Sequence, residues 1–284
     1  MTTPRQDYAR LRSILEIPLT SDRYWPRIPE SGADGIMLDL EDSAKPDQKA
    51  EVRGRANLAC SDPAITVEKF VFVRVNNLGT PWGEDDLQAL ASCPPEIMIC
   101  YPKTESRDEL DRVQTILTKH GPVRKFYTMV ESYAGMKRLD DILTHPDVVG
   151  VHFGYTDYAM DVGCRLFNEN GDDFFNHAML GPRALVAAAA AGHGRFSTGG
   201  TLIPDYRSDT KVANFIRAFR DDGYSACIAL SPRHLDIIHD NIRSDDTAYA
   251  NALNTMEMSY DIPGKVPFVE RKVAELTIRQ YRGY

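Results

Sequence analysis

Residues 35–42 read GIMLDLED, a nearly unbroken apolar run from Gly35 to Leu40 that passes straight into Glu41 and Asp42. A strand with one wet face alternates apolar and polar residues; a run like this one belongs in a parallel sheet covered on both sides. Its C-terminal end is where the charge collects. The same form recurs at 12–17 (RSILEI), 70–76 (FVFVRVN), 96–101 (EIMICY), 125–130 (KFYTMV), 148–153 (VVGVHF), 200–203 (GTLI) and 226–230 (ACIAL). Stretches of helical character separate these runs, at 47–59, 84–91, 107–120, 136–143, 182–191, 209–222 and 232–241. Ser208 and Ser231 stand where helix N-caps are wanted, and Pro232 occupies the first position after the second of them.

Eight strands alternating with helices predict an α/β fold, a TIM (β/α)8 barrel, with a doubly wound open sheet as the alternative. Residues 1–242 complete such a barrel and form the expected catalytic domain. Residues 243–284 make a C-terminal helical extension: a polar stretch at 244–249, a turn at Pro263-Gly264 and an amphipathic helix at 269–281. Val269, Val273, Leu276, Ile278 and Tyr281 recur there at near-helical spacing and need a surface to cover. The extension is expected as a lid over a barrel mouth or as a contact with a neighbouring subunit.

Composition excludes several classes. With 284 residues, 43% of them apolar, the chain is neither disordered nor fibrous. Acidic residues outnumber basic ones 41 to 33, so the basic stripe that nucleic acid requires is missing. The polar start at 1–11 and the want of any apolar run near 20 residues predict a cytoplasmic protein with no membrane partner. Five cysteines, Cys60, Cys93, Cys100, Cys164 and Cys227, lie far apart and are expected as free, mostly buried thiols. No histidine pair shows zinc-site spacing.

Catalytic groups of such barrels come from the C-terminal ends of the strands. Here those ends carry Asp39, Glu41 and Asp42; Arg74 and Asn76; Lys103; Glu131; Gly154, Tyr155, Thr156 and Asp157; and Asp205. Helix capping accounts for any one carboxylate in that position, but poorly for a whole ring of them. Carboxylates grouped around one arginine suggest a hard divalent cation, Mg²⁺ or Mn²⁺, holding an anionic substrate. Magnesium takes one or two protein carboxylates and fills its other positions with water and substrate oxygens, and Glu131 and Asp157 suit that role. Arg74 offers a planar fork for a carboxylate or a developing enolate oxygen. Arg74, Glu41 and Asp39 are the candidate catalytic residues, and Arg74, Lys103, Gly154, Tyr155 and Thr156 the candidate substrate-binding ones.

Arg12-Ser13-Ile14-Leu15, the DLEDS stretch at 39–43 with Lys49 and Arg53 downstream, Val73-Arg74-Val75-Asn76, Pro102-Lys103, Glu131 with Gly135, and 153–163 (FGYTDYAMDVG) together resemble the citrate lyase β-subunit-like branch of the HpcH/HpaI aldolases. The resemblance implies a TIM barrel and cleavage or formation of a carbon-carbon bond beside a coenzyme A thioester of the citryl-, malyl- or citramalyl-CoA type. It implies Mg²⁺ held by Glu131 and Asp157, Arg74 on the oxygen that becomes enolate-like, Glu41 as a supporting or proton-transfer residue, and a homo-oligomer, trimer or hexamer. A Schiff base on Lys103 is not part of that chemistry.

Three stretches depart from the pattern: Pro18-Leu19 where relatives have Pro-Gly, Ser231-Pro232-Arg233-His234 after the eighth strand, and Gly264-Lys265-Val266-Pro267 without the expected aspartate, for which Asp261 is poorly spaced. Two other readings therefore stay open. One is a CoA-independent aldolase joining a free 2-oxo acid, pyruvate or oxaloacetate, to an aldehyde; the other is a non-catalytic ligand-binding subunit.

Overall fold

The computed structural model describes residues 7–23, 25–167, 177–203, 205–243, 245–257 and 267–283. Eight parallel strands, β1 (Ser13–Pro18), β2 (Gly35–Asp39), β3 (Phe70–Arg74), β4 (Met98–Tyr101), β5 (Phe126–Val130), β6 (Val148–Phe153), β7 (Phe196–Gly200) and β8 (Ala226–Ala229), close into a barrel. Closure is direct: Ser13 to Leu15 of β1 pair with Cys227 to Ala229 of β8. The open-sheet alternative is excluded by that pairing. Besides a single turn at Pro63–Thr66, the helices are α1 (Lys49–Cys60), α2 (Gly83–Leu90), α3 (Arg107–Thr118), α4 (Tyr133–Lys137), α5 (Leu139–Leu143), α6 (Tyr155–Val162), α7 (His177–Gly192), α8 (Asp209–Asp222) and α9 (Leu235–Asn241). Two more, α10 (Asp246–Glu257) and α11 (Pro267–Arg282), follow the barrel.

Alternation along each strand divides the core in two. Leu15, Ile36, Val71, Ile99, Val130 and Val151 point outward and pack under the helices. Ile14, Met37, Phe72, Cys100, Tyr127, Phe196 and Ile228 point inward and plug the barrel. The rings of Phe72, Tyr127 and Phe196 meet at centroid distances of 5.1 to 6.1 Å, each pair worth about 0.5–1.5 kcal/mol beyond the area it buries. The plug fills the lower barrel, so Glu16, Arg74, Glu131 and His152, on the same inward parity but nearer the strand ends, form the next layer up.

Several expected boundaries move. The seventh strand is not 200–203 but Phe196–Gly200. Its sequence, FSTGG, lacks the β-branched apolar signature because packing demands glycine: a Cβ on Gly199 would lie 2.5 Å from the Phe219 ring. The helix expected at 136–143 is two, α4 and α5, broken at Arg138, whose ψ of 17° leaves the helical region. The segment at 182–191 starts earlier, with Pro182 inside α7 rather than opening it. Those at 47–59 and 232–241 each begin with a 3-10 turn. Ser208 caps α8 through the Lys211 N–H, whereas Ser231 makes no side-chain cap bond.

Most of the stretch read as polar, 244–249, belongs to helix α10. α10 and α11 pack as a hairpin, with the rings of Tyr249 and Tyr281 stacked 4.0 Å apart and the Tyr281 hydroxyl 2.7 Å from Asp246. The hairpin is tied below the barrel: Arg243 bonds the carbonyl of Ala9, and Leu276, Gln280 and Gly283 close a cavity against the C-terminal ends of α7 and α8. The expected lid over the mouth is thus not seen in its own chain, since among the described residues neither helix lines the mouth cleft. Phe268, Val269, Val273 and Leu276 are left exposed on α11. Asp261 and residues 263–266 lie outside the described residues. Among the described residues no helix is long and apolar enough to cross a membrane. Cys60, Cys93, Cys100 and Cys227 are buried free thiols and Cys164 is half-buried, as expected.

Candidate active site

The loop after β2 is built around Asp39. This carboxylate is wholly buried; its Oδ1 accepts the Glu41 N–H and its Oδ2 the Ser43 N–H, both at 2.9 Å. Lys49 and Arg53, one turn apart on α1, fasten the loop from outside. The Lys49 ammonium donates to the carbonyls of Leu40 and Glu41 and to Asn76 Oδ1 at 2.6–2.9 Å. Arg53 pairs at 2.9 Å with Asp86, which in turn accepts from the backbone and side-chain amides of Asn76. The downstream Lys-x-x-x-Arg is therefore a clasp that joins the ends of β2 and β3.

Arg74, at the end of β3, sits among four carboxylates. Its Nε is 2.7 Å from Asp39 Oδ1 and 3.5 Å from Glu41, Nη2 is 3.0 Å from Glu16, and Nη1 is 4.0 Å from Asp42. Burial works against the Asp39 charge, but the bonds from Arg74, Ser43 and the Glu41 amide overcome it and hold that pKa below the ordinary value. Glu16 goes the other way: burial raises its pKa more than Arg74 lowers it. Asp39, expected among the catalytic residues, holds Arg74 instead of bordering the cleft: its Oδ1 accepts both the Arg74 Nε–H and the Glu41 N–H, and its Oδ2 the Ser43 N–H.

Glu131 follows β5 and is 6% exposed. Its Oε1 accepts the Lys103 N–H at 2.7 Å. Lys103 adopts a left-handed backbone, φ 50°, uncommon for a residue with a side chain and of the kind that collects at functional sites. Its ammonium lies 2.8 Å from Glu41 and 3.6 Å from Asp157. Burial resists the Lys103 charge, yet the bond to Glu41 and the surrounding carboxylates raise its pKa. It is thus a protonated ion-pair partner rather than a free amine nucleophile. Burial, with Glu41 and Asp157 adding to it, pushes Glu131 up to about 7 despite the nearby Lys103. Burial likewise dominates at Glu41 and raises it.

A cleft of about 250 Å³ opens at the mouth, bordered by Glu16, Arg74, Glu131, His152, Gly154, Thr156 and Asp157 among others, with Glu41 and Lys103 just outside its lining, joined to it through Arg74 and Asp157. Asp157 comes from the first turn of α6 rather than from a strand end, where an acidic residue also complements the helix dipole. The Tyr155 ring borders the cleft, but its hydroxyl is held by the backbone of Leu202, donating to the carbonyl at 3.1 Å and accepting the N–H at 3.0 Å. Asn76 is used in the clasp, and Asp205 pairs with Lys211 at 3.6 Å away from the cleft. Glu16 and His152 were not anticipated. Their signal was present: each is a polar residue at inward parity within an otherwise apolar strand, SILEIP and VVGVHF.

Two carboxylates with free oxygens fit a hard cation that completes its shell with water and substrate. Among the described residues Glu131 Oε2 has no hydrogen-bond donor, and the room beside it exists because position 154 is glycine. Among the described residues no three His, Cys, Asp or Glu groups gather into a closed metal cage, which is the arrangement of a structural site rather than of this one. A second cleft, about 500 Å³, adjoins the first through Glu16 and Leu230 and is bordered by Pro18, Arg23, Arg27, Ser231, Pro232 and Arg233. Two of the three departing stretches, Pro18-Leu19 and residues 231–234, thus reach this cleft, through Pro18 and through Ser231 to Arg233, while Leu19 is buried in the core and His234 is spent on Thr201 and the carbonyl of Tyr206.

A closed eight-stranded barrel with an acidic mouth around one arginine gives the fold class and the candidate site, and comparison with known proteins narrows the family. Residues 12–229 match HpcH/HpaI aldolase/citrate lyase, and the chain belongs to that family. It is 29% identical over 226 residues to a (3S)-malyl-CoA thioesterase of Cereibacter sphaeroides, covering 80% of this chain and 75% of that protein. It is 28% identical over 254 residues to a citrate lyase subunit beta-like protein of Deinococcus radiodurans, covering 86% and 85%. Among solved structures, protein CitE of Mycobacterium tuberculosis in complex with magnesium, acetoacetate and coenzyme A superposes with a TM-score of 0.77. That match has 21% identity and covers 95% of this chain and 98% of CitE.

Proposed function

We propose that this protein is a Mg²⁺-dependent carbon-carbon lyase that acts on a 3-hydroxy-carboxyacyl-CoA thioester through an enolate. The observation that carries the reading is Glu131, a buried carboxylate with one open oxygen, facing Asp157 and Arg74 across the same cleft. Burying such a charge without a partner is costly, and a cation bound there would offset the cost. Bound Mg²⁺ would supply positive charge against the oxygen on which negative charge develops.

The protein's own groups account for the rest. In retro-aldol cleavage the 3-hydroxyl loses its proton, the bond between the second and third carbons breaks, and its electron pair passes to the thioester carbonyl oxygen. A proton then returns to the second carbon, giving acetyl-CoA and an oxo acid. Arg74, fixed by Asp39 and Glu16, presents its remaining N–H groups to the cleft without needing to reorganise, which is how fixed donors lower such barriers. Glu41, with its pKa raised by burial and its carboxylate bonded to the Lys103 ammonium, is the proposed proton-transfer group.

The adjoining cleft supports a thioester over a free 2-oxo acid. Three arginines border it, chemistry suited to the phosphates of coenzyme A, and it joins the reacting site directly. A non-catalytic role gives no reason for an interior layer of mutually repelling carboxylates. The exposed apolar face of α11 supports a homo-oligomeric contact for the extension.

The test is product analysis by mass spectrometry with citryl-, malyl- and citramalyl-CoA, and with pyruvate or oxaloacetate plus glyoxylate, each with Mg²⁺ and with chelator. Release of acetyl-CoA and an oxo acid supports the reading. Malate and free coenzyme A as the only products would mean thioester hydrolysis, and turnover of free oxo acids alone would mean the CoA-independent aldolase.

A further inference from the structure

The floor of the mouth cleft carries one imidazole, and its hydrogen-bond chain fixes which face it offers. His152 is 6% exposed, and its Nδ1 lies 2.9 Å from Oγ1 of Thr198, its partner in the β6–β7 register. The same Thr198 oxygen contacts the Tyr127 hydroxyl. Tyr127 is wholly buried between Phe72 and Phe196, and among the described residues Thr198 is its hydroxyl's hydrogen-bond partner. A buried O–H left without an acceptor is costly, so the phenol donates to Thr198. Thr198 then has its own proton to give to Nδ1. The tautomer that satisfies all three residues carries its hydrogen on Nε2.

Burial, with the Arg74 charge nearby, lowers the His152 pKa to about 3, so the ring is neutral across the physiological range. The ring also meets the Thr198 main chain, which works against that lowering; the described contact with the Thr198 hydroxyl is through Nδ1, and His152 borders the cleft. Around that cleft stand four carboxylates, Glu16, Asp42, Glu131 and Asp157. These carboxylates repel an anionic substrate oxygen, which is drawn instead to positive charge and to N–H donors; Arg74 and His152 both border the cleft and can supply them.

We propose that His152 is a substrate-binding residue, a neutral Nε2–H donor that together with Arg74 receives a carboxylate or carbonyl oxygen of a small 2-oxo acid unit at the cleft floor. Thr198 and Tyr127 act as positioning residues that set its tautomer. The inference rests on the metal-dependent reading above, which supplies the anionic substrate.

The experiment uses the full chain. Long-range ¹H–¹⁵N spectra, with His152→Gln to assign the signal among seven histidines, should show a neutral Nε2–H ring at pH 7. Calorimetry with Mg²⁺ alone, then with pyruvate or glyoxylate on the Mg²⁺-loaded protein, gives the binding readout. His152→Leu should weaken oxo-acid binding about tenfold or more, the usual worth of a hydrogen bond to a charged group, and leave Mg²⁺ binding as it was. His152→Gln, whose amide still offers an N–H, should stay within about threefold. Thr198→Val should lose the Nε2–H signature and weaken the oxo acid without touching the imidazole itself. Intact Mg²⁺ binding with unchanged oxo-acid affinity in both His152→Leu and Thr198→Val would overturn the inference alone, as would an Nδ1–H or protonated ring. Failure of the wild type to bind Mg²⁺ would overturn the functional reading and this inference with it.

Discussion

Glu131 and Gly154 are a matched pair: a Cβ at position 154 would lie 2.2 Å from Glu131 Oε2 and 2.5 Å from its Cβ. The glycine is what lets a buried carboxylate reach the mouth with one oxygen open. Gly154→Ala should displace that carboxylate, with Oε1 losing its bond from Lys103. We expect Mg²⁺ affinity to fall by about two orders of magnitude, as for loss of a ligand with its supporting contact, while circular dichroism stays that of a folded α/β protein. Calorimetry of the variant checks this.

Glu131→Gln separates function from stability. The folded pKa of Glu131 is about 7 against an ordinary 4.5. Its contribution is therefore fully favourable below pH 4.5 and is lost as pH rises through 7. Well above pH 7 the metal-free protein carries a cost on the order of 3 kcal/mol. The variant should abolish Mg²⁺-dependent turnover, and yet unfold at higher denaturant than metal-free wild type at pH 8. At pH 4.5 the difference should shrink, and saturating Mg²⁺ should remove it at pH 8 by stabilising the wild type alone.

Arg74→Lys keeps the charge and loses the fork. Asp39 and Glu16 are gripped by different nitrogens of Arg74, and an ammonium cannot hold both and still face the cleft. Turnover should drop on the order of 10²–10³, measured at saturating Mg²⁺. Wild-type rates would make the arginine structural.

Removal of residues 243–284 tests the extension. α11 leaves Phe268, Val269 and Val273 exposed while Leu276, Gln280 and Gly283 line the cavity at the barrel base. The shortened chain should keep an α/β dichroism spectrum and sediment at lower mass with reduced turnover. Unchanged mass and rate would make the extension dispensable.

The strands were legible where their residues face apolar neighbours on both sides, as in GIMLD and FVFVR. β7 was misplaced because Gly199 answers to the Phe219 ring, a partner twenty residues away that local pattern does not reveal. Helix α10 was missed because its polar start resembles a linker and only Ala252 is buried. At the site, motif and strand-end position brought out Arg74, Glu131 and Asp157. Nothing in DLED distinguishes a carboxylate that borders the cleft, as Asp42 does, from one that holds the arginine, as Asp39 does. Glu16 and His152 needed strand parity, which becomes readable once the barrel is known to have a polar upper layer.

Enolate formation is the central claim, and proton exchange measures it without knowledge of the full substrate. With Mg²⁺ in D₂O, the protein should remove the methyl signal of acetyl-CoA or pyruvate from the proton NMR spectrum at a rate far above solvent alone. Chelator and Glu131→Gln should each stop the exchange. If neither methyl group exchanges at saturating Mg²⁺, or if exchange continues unchanged in chelator, the account of this site is contradicted.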